Sequence, residues 1–226
     1  MRLRHLLQRL RTPAPAPPDA PAAFPAHAAG MPDADPDLGF FATGSAHRGG
    51  EAAVVDWTAR AAEIGARPLD TARGAGLLRR TWTDGSHGAM SAFDAAAIGR
   101  MARFFAFAQV PPGQAVVRQD EYANFMVVPL SGSIAVERLQ PWGERLRLAQ
   151  ARPGDLLGEM SLLDSGIRFS ACTTLTDCDL AVLGADGLDA MMGAEPETAA
   201  RLVGLIARKL SLRLRAVSAR LSTGQT

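Results

Sequence analysis

The chain has 226 residues, of which 47% are hydrophobic, and a net charge of +1, a composition with enough apolar content for an ordinary core. No apolar run approaches the roughly 20 residues needed to cross a bilayer, and the first residues lack the continuous apolar core of a secretion signal, so a cytoplasmic location is the expectation. The charge is uneven: both ends are basic and the middle is acidic, a distribution read as solvated faces, with no nucleic-acid partner expected.

In chain order, residues 1–11 place Leu3, Leu6, Leu7 and Leu10 on one helical face with four arginines largely elsewhere, a pattern suited to contact with an anionic membrane or a partner. Residues 12–36 are rich in proline and alanine and read as a disordered linker, so residues 1–36 form one N-terminal segment. Residues 37–89 are poorly defined and partly helical. A weak helical pattern over Glu51 to Gly65 has Val54, Val55, Ala61 and Ile64 as apolar positions and Trp57 as an anchor. Ser91 followed by Asp94 resembles a capping box, opening a helix with Phe93, Ile98, Met101, Phe104 and Phe105 on its apolar face.

From Val110 to Leu183 short β-rich segments alternate with turn signals at Pro112-Gly113, Ser131-Gly132, Trp142-Gly143 and Pro153-Gly154, which predicts an antiparallel β jelly-roll barrel. Asp186 to Met192 then makes a short helix, and Pro196 opens a long one that runs to about Leu221. Its stripe of Val203, Ile206, Leu210, Leu214, Val217 and Leu221 keeps a helical period. The fold class is therefore α+β, with a β barrel flanked by helices and a long C-terminal helix. Cys172 and Cys178 have neither redox nor zinc spacing and read as small core residues. The histidines His5, His27, His47 and His87 are scattered, so no metal site is expected, and no nucleophile or acid-base constellation points to an enzyme.

The segment from Gly158 to Arg168 carries the most chemistry. Gly158 lets the backbone turn sharply. If Glu159 to Leu163 make a helical turn, their amides favour an anion. Arg168 can hold two phosphate oxygens through its planar fork. Glu159 would be repelled by phosphate and suits a ribose hydroxyl instead, as in dinucleotide sites.

Gly158-Glu159-Met160-Ser161-Leu162-Leu163-Asp164 resembles the phosphate-binding cassette of the cyclic-nucleotide-binding domain family, as found in sensor domains of the catabolite activator type. Val110 to Val117, Val128 to Val136 and Leu175 to Leu183 resemble that family's first strand, glycine-centred turn and closing strand, so the resemblance covers residues 90–221, leaving 222–226 as a tail. It implies a non-catalytic regulatory module that binds cyclic AMP or cyclic GMP and signals through the C-terminal helix, itself the contact of a homodimer, to a partner protein. Only five residues follow Leu221, so a helix-turn-helix is not expected in this chain. Where the family places a small residue and alanine after its arginine, Phe169 and Ser170 stand here; keeping Arg168 in register leaves the closing strand undisturbed. Arg213 and Leu214 match the family's base-capping positions, and Arg213 suits stacking on a purine or donation to a guanine edge. The candidate ligand-binding set is thus Gly158, Glu159, Met160, Arg168, Phe169, Ser170 and Arg213. The alternative is a degenerate domain whose pocket Phe169 fills, acting as a ligand-independent scaffold.

Overall fold

The computed structural model describes residues 53–83 and 93–223, with side chains to residue 219. The expected amphipathic start, the proline-rich linker, Ser91 and all four histidines lie outside the described residues. Helix α1 (Trp57–Glu63) begins where the Asp56 carboxylate accepts the Ala59 N–H at 2.7 Å. It is followed by β1 (Arg67–Pro68), α2 (Thr71–Thr83) and α3 (Ala95–Ala102). Then come β2 (Ala106–Val110), β3 (Ala115–Val117), β4 (Phe125–Pro129), β5 (Ile134–Leu139) and β6 (Arg145–Ala151). Helix α4 (Glu159–Asp164) interrupts the strands before β7 (Ala171–Thr174) and β8 (Cys178–Gly184), and α5 (Ala185–Ala194) and α6 (Pro196–Thr223) complete the chain.

Among the described residues the strands form two antiparallel four-stranded sheets, ordered β1-β2-β8-β4 and β3-β7-β5-β6. They face each other as a jelly-roll-like sandwich, and the expected barrel is not closed by hydrogen bonds into one ring. Because successive strand residues point to opposite faces, β2, β4 and β8 of the first sheet each supply two cores. Phe125 and Val127 of β4, with Leu180 and Val182 of β8, fill the space between the sheets together with Val116, Ile134 and Cys172. Met126 and Val128, with Ala181 and Leu183, face the helices and meet Leu78, Trp82, Ile98, Met101, Leu188 and Ile206. This double burial explains why every residue of β4 is buried. Both cysteines are free and buried in the inner core, as expected.

Two local expectations are corrected. Helix α3 is capped by Asp94, whose carboxylate accepts the Ala97 N–H at 2.6 Å, so Asp94 is the N-cap and not the third residue of a capping box. Phe93 stays outside the helix because its ring stacks on Trp82 at 6.4 Å. The helix also stops at Ala102, and Phe105 leaves it to meet Trp82 edge-on, so tertiary burial of the aromatic rings overrides the helical period. The long helix runs as predicted, but its buried positions are Thr198, Ala199, Leu202, Leu205 and Ile206; from Ser211 to Ala219 every side chain is exposed.

Helix α2 lies so close to β2 that a Cβ on Gly74 would overlap the Phe107 ring, whereas one on Gly76 would meet nothing within 4 Å. Gly74→Ala should therefore destabilise the fold by about 1–3 kcal/mol through overpacking. Gly76→Ala, in the same helix, should stabilise it by roughly 0.5–1 kcal/mol by removing a helical glycine. Urea unfolding of the two variants checks the opposite signs.

Candidate functional site

The cassette is fastened to β4 before it turns. Val127 and Leu157 exchange backbone hydrogen bonds at 2.8 and 2.9 Å, and the next residue, Gly158, takes the left-handed conformation with φ 73°. An L side chain is disfavoured there on backbone grounds, and a Cβ would also overlap Nη1 of Arg168. The chain then makes the single turn-and-a-half of α4, whose last turn closes where the Ser165 N–H donates to Ser161 at 3.1 Å.

Arg168 is held by its backbone on one side and its guanidinium on the other. Its N–H donates to the Glu121 carbonyl and its carbonyl accepts from Asp120 N–H, both at 2.9 Å. This clamps the residue against the loop between β3 and β4 and aims its side chain inward. Nη1 donates to the Gly158 carbonyl at 2.6 Å, Nη2 donates to the Phe125 carbonyl, and the guanidinium lies 4.7 Å from the Phe125 ring centroid. The residue is only 2% exposed, and its Nε has no hydrogen-bond partner among the described residues. Burial pushes the pKa down to about 10 against the opposing pull of Glu121, Cys172 and Glu159, so the group stays cationic at neutral pH. Burial likewise pushes the Cys172 thiol up to about 12, which leaves it protonated and inert beside the arginine.

Glu159, the first residue of α4, is buried as well. Its Oε1 accepts a hydrogen bond from Arg213 Nη1 at 2.8 Å, across 54 residues of sequence. One turn earlier on α6, Lys209 is half-buried, and its pKa is lowered by burial with Asp155, Arg213 and Glu159 nearby. The cassette and the long helix therefore meet at the Glu159 carboxylate.

Of the predicted site residues, Gly158, Glu159, Arg168 and Arg213 converge. Arg213 stands in the ion pair with Glu159. Phe169 is 57% exposed; its ring stacks under the Arg138 guanidinium at 4.2 Å, and its carbonyl accepts from the same side chain. Met160 is also exposed, and Ser170 is half-buried just before β7. Phe125 and Glu121 complete the surroundings of Arg168, and sequence reasoning missed both. Phe125 reads only as an inward strand residue, and no local spacing links position 125 to 168.

The arrangement can hold an anion: a buried cation whose Nε–H has no acceptor among the described residues, a turn with no side chain in the way, and a carboxylate able to accept a hydroxyl. A family profile described as the cyclic nucleotide-binding domain matches residues 107–195. The chain is 30% identical over 100 residues to a CRP-like cAMP-activated global transcriptional regulator of Mycobacterium tuberculosis, the match covering 44% of this chain and 45% of that protein. It is 32% identical over 100 residues to the cyclic AMP receptor protein of Thermus thermophilus, covering 44% and 46%. The crystal structure of Thermus thermophilus catabolite activator protein superposes with a TM-score of 0.53 at 27% identity, covering 60% of this chain and 62% of that one. The match spans about half the length of the curated relatives.

Proposed function

We propose, from the match of residues 107–195 to the cyclic nucleotide-binding domain, that the protein is a non-catalytic, cytoplasmic regulatory module whose C-terminal helix carries the binding signal to a partner protein. The observation that supports this reading is the buried Arg168 guanidinium with its unshared Nε beside Gly158. A cyclic phosphate would take the Nε–H and compete with the Phe125 carbonyl for Nη2, which shares that edge of the guanidinium. Each charge-assisted bond contributes about 1.5–3 kcal/mol. Glu159 would accept the ribose 2′-hydroxyl with the oxygen that Arg213 does not use. Arg213 then shares or leaves the carboxylate, and α6 moves with it. Cyclic AMP is the first ligand to test, because the relatives' names carry it, and cyclic GMP is the second.

A ligand-independent scaffold is the second reading. It is favoured by the engagement of both Nη atoms of Arg168 with backbone carbonyls and by the Arg213–Glu159 pair, which together satisfy most of the site without a ligand. Calorimetric titration separates the two. Cyclic AMP or cyclic GMP should release or absorb heat with the wild-type chain, and Arg168→Lys, which keeps the charge but loses the fork, should weaken binding by about 10- to 100-fold. Heat with neither nucleotide would leave the scaffold standing.

We also propose that α6 forms a homodimer. The face that docks Ile206 and Leu210 continues into Leu214, 68% exposed, and Val217, 47% exposed, which no described residue buries. Sedimentation velocity should give twice the chain mass for the wild type and a monomer for Leu214→Glu/Val217→Glu. A variant that stays dimeric would move the interface off this helix.

A further inference from the structure

Helix α1 and the residues before it lie outside the family match, yet they form part of the wall around Arg168. Val55 N–H donates to the Tyr122 carbonyl at 2.8 Å, beside the loop that clamps the Arg168 backbone. Trp57 meets the Phe125 ring edge-on with centroids 5.6 Å apart, and the same ring carries the Arg168 guanidinium. Arg60, one turn further on, is 1% exposed. Its Nη1 donates to Glu63 at 2.6 Å, its Nη2 pairs with Glu121, and its Nε has no partner among the described residues.

Glu121 therefore touches both arginines, the Arg168 backbone through its main chain and the Arg60 guanidinium through its side chain. Its main-chain carbonyl takes the Arg168 N–H, and its carboxylate goes to Arg60, with the second oxygen accepting Arg118 N–H at 3.2 Å. A carboxylate whose charge acts on a buried arginine competes with any anion that the arginine is to bind. Among the charges acting on Arg168, Glu121 is the strongest in favour of its cationic form, and Arg60 opposes it. A buried ion pair is also a poor way to stabilise a fold, because an apolar pair of similar size does as well without the desolvation cost.

We propose that Arg60 is a positioning residue for ligand binding: it holds the Glu121 carboxylate toward α1 and so leaves the Arg168 cation for a phosphate. The proposal rests on the reading that Arg168 binds a cyclic phosphate, and it makes α1 an integral part of that site. Removing Arg60 frees Glu121 to neutralise Arg168. Removing the Glu121 charge raises the positive potential at Arg168, whether or not Arg60 is present.

The test is calorimetric titration of cyclic AMP into four full-length chains: wild type, Arg60→Met, Glu121→Gln and the double variant, each first checked by thermal melting to be folded at the titration temperature. Arg60→Met should weaken binding by about tenfold, and Glu121→Gln should bind as tightly as wild type or a few-fold more tightly. The double variant should return to within about threefold of wild type, although it lacks the whole pair. A merely structural anchor gives the opposite pattern, with Glu121→Gln weaker and the double variant no better than Arg60→Met; either result overturns the proposal. Should Arg60→Met fail to fold, the sign for Glu121→Gln and the affinity of the double variant still decide. Absence of binding by the wild type removes the Arg168 reading and this proposal together, whereas wild-type binding with the wrong variant pattern removes only the role of Arg60.

Discussion

A guanidinium placed 2% exposed between two β-sheets is the constraint around which the site is built. Removing a charge from water costs several kcal/mol unless its N–H groups find acceptors. The chain meets that requirement with main-chain carbonyls, which hold no formal charge of their own: Gly158 on one side and Phe125 on the other. Each solution then dictates a residue. Nη1 comes so close to position 158 that only glycine fits, and the left-handed turn there starts α4 and buries Glu159 at its head. Nη2 requires a β4 carbonyl aimed inward, and the Phe125 ring supplies an apolar face on which the cation rests.

That geometry links the site to both flanking parts of the chain through contacts of different strength. The Arg213–Glu159 pair joins a largely exposed arginine to a buried carboxylate. Water screens the exposed guanidinium, so the pair holds the helix to the cassette less firmly than a fully buried pair would. A ligand that competes for Glu159 can move α6 only by the difference in its affinity for the two helix positions. The upper half of α6 is fixed more firmly, by Leu202, Leu205 and Ile206 in the helix-side core, so the exposed half beyond Ser211 is the part free to respond. On the other flank, Arg60 and Trp57 are buried or packed against β4, and α1 behaves as a wall of the site.

What the sequence made legible follows from distance along the chain. The glycine turns, the cassette and the order of elements are local patterns, and Arg168 lies ten residues from the carbonyl it binds. The arginine's remaining surroundings are not local: Phe125 is 43 residues away, Arg213 lies 54 residues from Glu159, and Arg60 lies 61 from Glu121. No periodicity encodes such pairs. The long helix shows the same limit within one element. Its period identified a helix and one apolar stripe, of which Ile206 is buried and Val203 and Leu210 pack against the helix-side core, but Ala199, Leu202 and Leu205, outside that stripe, bury there as well. At α3 a local rule misled, since both Ser91 and Asp94 can cap and only the burial of Phe93 against Trp82 selects Asp94.

The unshared Nε of Arg168 gives the most direct access to the central claim, because it is a single N–H whose state the ligand must change. In a nitrogen-15 arginine-labelled sample, the Nε–H signal absent from an Arg168→Lys variant is the one to follow. Saturating cyclic AMP should move that signal downfield and slow its exchange with water, as an N–H gaining a phosphate oxygen does. A nucleotide that binds while this signal stays in place would contradict a phosphate seated on Arg168.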